Sequence, residues 1–117
     1  MVRRTATIAF MAGAHVFPGG RVDTADRGDF RLSAIRELFE EARLLLAHDA
    51  AGGFVPITTP SECARWEAAR DAVHAGRQPF LEVLTAAGLS PALDAAFPWA
   101  HWVTPPNEVR RFDTRFF

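Results

Sequence analysis

Between residues 31 and 47 the apolar side chains Leu32, Ile35, Leu38, Phe39, Ala42, Leu45 and Leu46 recur every three or four positions, with no glycine or proline among them. That spacing predicts an amphipathic helix over 31–47, whose apolar arc spans roughly 140° at about 100° per residue. Glu37, Glu40 and Glu41 fall together on the other side, within an arc of roughly 100°. One face is suited to packing, and the other presents clustered negative charge.

Elsewhere the pattern is shorter in range. Residues 1–18 read as a short strand and then a loop, closing on Phe17-Pro18-Gly19-Gly20, a strong chain-turning signal. Residues 21–30 are polar and loop-like, and 49–60 form a loop with a short strand at 54–57. Thr59-Pro60-Ser61-Glu62 starts a helix that runs to Ala75, with Pro60 at its first turn. Gly76-Arg77-Gln78 breaks it, residues 79–87 suit a second short helix ended by Gly88, and Ser90-Pro91 opens a further turn through Ala96. Pro98, Pro105 and Pro106 mark extended chain in which Trp99, Trp102 and Val103 are expected to pack, and 109–117 read as a strand. No internal repeat or low-complexity tract is visible.

Composition narrows the classes. The chain has 117 residues, 49% apolar and 23% charged, which fits one soluble domain. Thirteen basic against 14 acidic side chains leave a net charge of −1, which gives no general pull toward nucleic acid or an anionic membrane. No apolar run approaches the roughly 18–20 residues that span a bilayer. The lone Cys63 excludes an internal disulfide framework and a cysteine-based zinc cluster, and fits a reducing, cytoplasmic setting. Met1-Val2-Arg3-Arg4 and the weakly apolar run to Ala14 imitate a secretory leader, but that run is mostly Ala, Gly and Thr and is read as interior fold. Every basic residue is Arg, which reflects a coding bias but matters locally, because the guanidinium fork suits phosphates and carboxylates.

The chemistry is concentrated in the helix. Carboxylates at i, i+3 and i, i+4 repel by a few tenths of a kcal/mol per pair. A divalent cation among Glu37, Glu40 and Glu41 would relieve that repulsion, and oxygen donors suit Mg²⁺ or Mn²⁺; a plain solvated acidic face is the competing reading. Arg36 can neutralise part of the cluster and orient one member. His15, His48, His74 and His101 share no helical spacing and form no zinc motif, although His15 lies beside the glycine loop. Ser33 and Ser61 lack the glycines of a nucleophile elbow. Cys63 reads as a bystander, and Trp99 and Trp102 read as core rather than as a base-stacking platform.

Pro18-Gly19-Gly20, a loop, and then Arg36-Glu37-Leu38-Phe39-Glu40-Glu41 resemble the Nudix hydrolase box. Gly20 takes the first position of that box, Asp26 stands where its first Glu belongs, and Arg36, Glu37, Leu38, Glu40, Glu41 and Leu44 match the helical part. Nine residues rather than seven separate Asp26 from Arg36, and Arg43 replaces the last Gly. Within the family the chain is similar to the branch of peroxisomal coenzyme A diphosphatase and its bacterial relatives. Residues 14–23, 34–41 and Trp102-Val103-Thr104-Pro105, and the closing run 111–117, carry that likeness. The upstream signature of other coenzyme A-cleaving members is not recognisable.

The resemblance implies an α/β (α+β) fold, the Nudix α/β/α sandwich with a mixed sheet. It is expected to be incomplete, with a helical insertion after the Nudix helix. Residues 1–117 are then one partial domain: 18–46 the box loop and helix, 49–98 a mostly helical insertion, and 99–117 a return to the sheet. The implied reaction is hydrolysis of a small-molecule nucleoside-diphosphate derivative, most readily coenzyme A or acyl-coenzyme A, with no nucleic-acid or membrane partner. Glu37, Glu40, Glu41 and the Gly20 carbonyl would hold Mg²⁺ or Mn²⁺, Arg36 would support them, and Gly19, Gly20 and Arg21 would meet the phosphates. The general base is one box glutamate or a residue from the family's later half. A catalytically silent fragment or nucleotide-binding module is the alternative, and an incomplete sheet would leave edges open to a homodimer.

Overall fold

The computed structural model describes residues 1–3 and 15–117. Val2–Arg3 (β1) and His15–Val16 (β2) pair antiparallel, Val2 facing Val16. Most of the strand expected within 1–18, and the leader-like run, lie outside the described residues.

The helix predicted over 31–47 runs from Phe30 to Ala42 (α1). Asp29 caps its start, accepting from the Arg31 N–H at 2.9 Å and the Leu32 N–H at 3.4 Å. It ends five residues short of the expectation because Arg43 takes a left-handed conformation, φ 60° and ψ 27°, which cannot continue a right-handed helix. This is the position where the Nudix box has its last glycine, and the backbone there accounts for that preference. Leu45 and Leu46, expected on the apolar arc of the helix, instead pack against the core from the segment that follows. That segment leads into Ala47–His48 (β3), which pairs antiparallel with Ser90–Pro91 (β4). The strand expected at 54–57 reduces to one bridge between His48 and Phe54.

Pro60–His74 (α2) begins with a reciprocal cap, the Thr59 hydroxyl accepting from the Glu62 N–H at 3.3 Å and the Glu62 carboxylate from the Thr59 N–H at 2.9 Å. Phe80–Ala86 (α3) follows. The turn expected from Ser90 divides into β4 and a short 3-10 turn at Leu93–Ala95. Leu32, Ile35 and Phe39 of α1 meet Trp66 and Val73 of α2 and Phe80 and Leu84 of α3 in one buried cluster. The Phe39 ring stands edge-on to Trp66 at 6.1 Å and lies 5.4 Å from Phe80. Burying a side chain of this size stabilises by about 1.5–3 kcal/mol. The apolar arc of α1 is thereby committed to the core, which leaves the acidic arc facing away from it.

Ala100–Val103 (β5) and Asp113–Phe116 (β6) form an antiparallel ribbon, with Trp102 opposite Thr114. The strand expected over 109–117 is shorter than its pattern. Trp99, Trp102 and Val103, expected to pack, are 82%, 72% and 56% exposed. The ribbon has two strands, and among the described residues no further layer covers that face; Trp102 rests only edge-on against Phe116, at 6.4 Å. The architecture is mixed α+β, with the described strands in three separate antiparallel pairs beside the helices. No helix among the described residues is long and apolar enough to cross a membrane.

Left-handed backbone disfavours any residue with a Cβ, by about 1–2 kcal/mol. Arg43 gains back only an exposed 3.4 Å ion pair with Glu67. Arg43→Gly should therefore raise unfolding free energy in urea by about 0.5–1 kcal/mol; a lower midpoint would count against this account of how α1 ends.

Candidate active site

The loop before α1 is organised around one carboxylate. Asp23 caps a 3-10 turn at Thr24–Asp26, accepting from the Ala25 N–H at 2.9 Å, and donates its own N–H to the Asp26 carboxylate at 2.9 Å. The bonds from Ala25 and Thr24 hold the Asp23 carboxyl below the usual range. Asp26 is 2% exposed and also accepts from the Ser33 hydroxyl at 2.7 Å. Opposite it, Arg36 Nε lies 3.0 Å from Asp26 Oδ1 and Nη2 lies 3.1 Å from Oδ2, a two-pronged pair. Arg36 Nη2 also donates to the Arg21 carbonyl at 2.9 Å, while Nη1 donates to Glu37 at 2.9 Å and Glu40 at 2.7 Å. Burial disfavours the charged guanidinium, but the hydrogen bonds with Asp26 and Glu40 prevail and raise its pKa above that of an ordinary arginine.

The loop is two residues longer than the Nudix pattern, and it turns at Arg27-Gly28. Both adopt positive φ, 54° and 75°, between the 3-10 turn and the Asp29 cap. The Asp26–Arg36 ion pair, not anticipated from the sequence, forms across this longer loop.

Arg36, Glu37 and Glu40 are brought together. Glu41 turns to the glycine loop, where its carboxylate accepts from the Gly19 N–H at 3.1 Å. Gly20 lies so close to Glu37 that a Cβ there would collide with the Glu37 carboxylate. Burial pushes the Glu37 carboxyl up, opposed by Arg36 and reinforced by Glu40 and Glu41. Among the described residues no three acidic, imidazole or thiol side chains already converge as a ligand set. The donor chemistry nevertheless fits a hard divalent cation, because the glycine loop abuts carboxylates whose mutual repulsion Arg36 only partly offsets. Arg21 contributes its carbonyl to the network, and its side chain is exposed.

Residues that pattern reading passed over take part. Ser33 buttresses Asp26. His74 of α2 places Nδ1 2.9 Å from Glu40 Oε2, and Arg70 donates to the Glu40 carbonyl at 3.2 Å. Ser33 lies three residues before Arg36, a helical spacing that signals a shared face; His74 carries no comparable signal, since its contact depends on how α2 packs. His15 is exposed, as is the thiol-bearing Cys63.

The chain belongs to the Nudix hydrolase family. The NUDT19 Nudix domain family matches residues 28–117. Acyl-coenzyme A diphosphatase NUDT19 of Homo sapiens is 27% identical over 175 residues, covering 100% of this chain and 46% of that protein. The Gallus gallus protein of the same name is 27% identical over 179 residues, covering 99% and 46%. The crystal structure of a NUDIX hydrolase from Alicyclobacillus acidocaldarius superposes with TM-score 0.69 at 32% identity, covering 98% of this chain and 58% of that one. The chain thus spans about half the length of the curated relatives it matches.

Removing Asp26 would leave the buried Nε and Nη2 edge of Arg36 without its carboxylate, with only Nη1 still paired to Glu37 and Glu40. Asp26→Ala is expected to lower unfolding free energy by about 3–5 kcal/mol, read by denaturant titration beside the exposed control Arg21→Ala; a loss no larger than the control's would show that the pair does not hold the loop.

Proposed function

We propose that this chain supports metal-dependent hydrolysis of a diphosphate linkage in a nucleoside-diphosphate derivative, with coenzyme A or acyl-coenzyme A split to 3′,5′-ADP and (acyl-)phosphopantetheine. The observation that carries the reading is the Arg36 hub, which ties the Arg21 carbonyl and Asp26 to Glu37 and Glu40 while Glu41 accepts from the Gly19 N–H. The names of the curated relatives support the substrate class. The single Cys63 and a net charge of −1 favour a reducing, cytoplasmic setting and a small-molecule substrate rather than nucleic acid.

Glu37, Glu40 and Glu41, with the Gly20 carbonyl, are the groups that would hold Mg²⁺ or Mn²⁺. Such a cation polarises phosphoryl oxygens and steadies the leaving phosphate. Arg36 counters the burial of Glu37 and keeps it and Glu40 in fixed positions. Gly19 and Gly20 carry no side chain, so the diphosphate can approach the backbone beside the acids. The Arg21 guanidinium is available to a phosphate oxygen. In the reaction a water oxygen bonds to phosphorus, the bridging P–O bond breaks, and the proton that the water loses passes to a base. A nucleotide-binding module without turnover is the second reading, favoured by the pairing of Glu37 and Glu40 with Arg36.

Mass-spectrometric profiling with Mg²⁺ and a panel of acyl-coenzyme A, nucleotide sugars and dinucleotides tests this directly. The wild-type chain should release 3′,5′-ADP and acyl-phosphopantetheine, and Glu41→Gln should lower the rate by about 100-fold or more. Gly20→Ala, which would push the Glu37 carboxylate off its pairing with Arg36, should lower stability by about 1 kcal/mol and slow turnover by roughly tenfold or more. Ligand-induced stabilisation with no product from any substrate would select the second reading.

A further inference from the structure

Away from the acids, an open hollow of about 580 Å³ lies at the N-terminal end of α1. Three arginines from separate parts of the chain line it: Arg27 from the loop, Arg31 from the first turn of α1, and Arg115 from β6. Asp29 is the one acid among the lining residues, and its carboxylate is already engaged in capping α1 and in an exposed 3.5 Å pair with Arg31. The Arg115 guanidinium lies 4.3 Å from the centre of the Phe30 ring, which fixes its plane while leaving its N–H edge free for an acceptor. Among the described residues neither Arg27 nor Arg115 has a carboxylate partner.

Gathering three positive groups against one acid is unfavourable unless an anion is shared, and it occurs on a chain whose net charge is −1. Arg27 reaches the hollow as the left-handed cap, φ 54°, of the 3-10 turn at Thr24–Asp26. A phosphate monoester carries about −1.5 to −2 at neutral pH, matching the excess of two arginines over Asp29, and guanidinium forks recognise it through paired hydrogen bonds. Pro98 and Phe117 also line the hollow. At 1.5 Å per residue, Arg31 precedes Glu37 and Glu41 by about 9 and 15 Å along the helix axis, on the order of one nucleotide.

We propose that this hollow binds a phosphate monoester of the substrate, remote from the diphosphate link that is cut. The inference rests on the functional reading above, and it makes the 3′-phosphate of coenzyme A the group recognised.

Calorimetric titration of the chelator-treated protein with coenzyme A and with 3′-dephosphocoenzyme A compares two ligands that differ only in that monoester. Coenzyme A should bind roughly tenfold tighter or more. Arg31→Gln and Arg115→Gln should each reduce that ratio below about threefold while leaving the 3′-dephosphocoenzyme A affinity nearly unchanged. Arg31 is an exposed side chain, so its variant keeps the comparison valid if Arg115→Gln disturbs β6. Equal affinities in the wild type, no binding of coenzyme A, or a preference that survives Arg31→Gln overturns the proposal. Turnover of 3′-dephosphocoenzyme A with Mg²⁺ tests the reaction separately: hydrolysis of both compounds at equal affinity removes the hollow and keeps the reaction, whereas a binding preference without product does the reverse.

Discussion

The Asp26–Arg36 pair is the constraint on which the rest of the site depends. Bringing both ions out of water costs several kcal/mol, which attraction offsets only when the remaining donors and acceptors are satisfied. Here they are. The five N–H groups of Arg36 reach Asp26, the Arg21 carbonyl, Glu37 and Glu40, and Asp26 accepts in addition from Ser33 and from the Asp23 N–H. Because each partner belongs to a different part of the loop or helix, satisfying one guanidinium sets the register of both. A lysine, with three donors on one atom, could not hold the Asp26 fork and the two glutamates at once.

The packing of α1 makes that network possible. Phe39, Ile35 and Leu32 bind the helix to α2 and α3, so its rotation about its own axis is set by the core. α2 also reaches round to the polar side, where Arg70 and His74 touch Glu40. The helices that follow the box therefore do more than fill volume. They fix both the angle at which the acidic arc is presented and one of its carboxylates.

How much of this was legible follows from the range of the interactions. The two faces of α1, the capping box at Thr59 and Glu62, and the box resemblance from Gly20 to Glu41 are written in spacings of a few residues, and helical sequence carries such spacings openly. The early end of α1 was not, because Arg43 in left-handed backbone continues an apolar period that still looks helical at Leu45 and Leu46. Trp99 and Trp102 were misplaced for a related reason: an aromatic side chain implies burial only where another layer exists to bury it. His74 and the arginine hollow were out of reach, since both depend on segments tens of residues apart meeting in space.

The charge pattern of α1 runs against its own dipole at its C-terminal end, and at its N-terminal end Arg31 opposes a dipole that the Asp29 cap complements. A helix N-terminus favours negative groups and its C-terminus positive ones. Yet the first turn carries Arg31 near two more arginines, while Glu40 and Glu41 occupy the last turn, which has no basic residue. Local conflicts of this kind, in an otherwise consistent sequence, mark places where selection for something other than stability has acted. An anion at the arginine end and a cation at the carboxylate end would each remove a like-charge repulsion and an opposed dipole together. A nucleotide whose phosphate monoester lies at one end and whose metal-bound diphosphate lies at the other supplies both from a single molecule. The charge misfit along one helix thus has the polarity that the proposed substrate would meet, and under that proposal the direction of the helix would orient it.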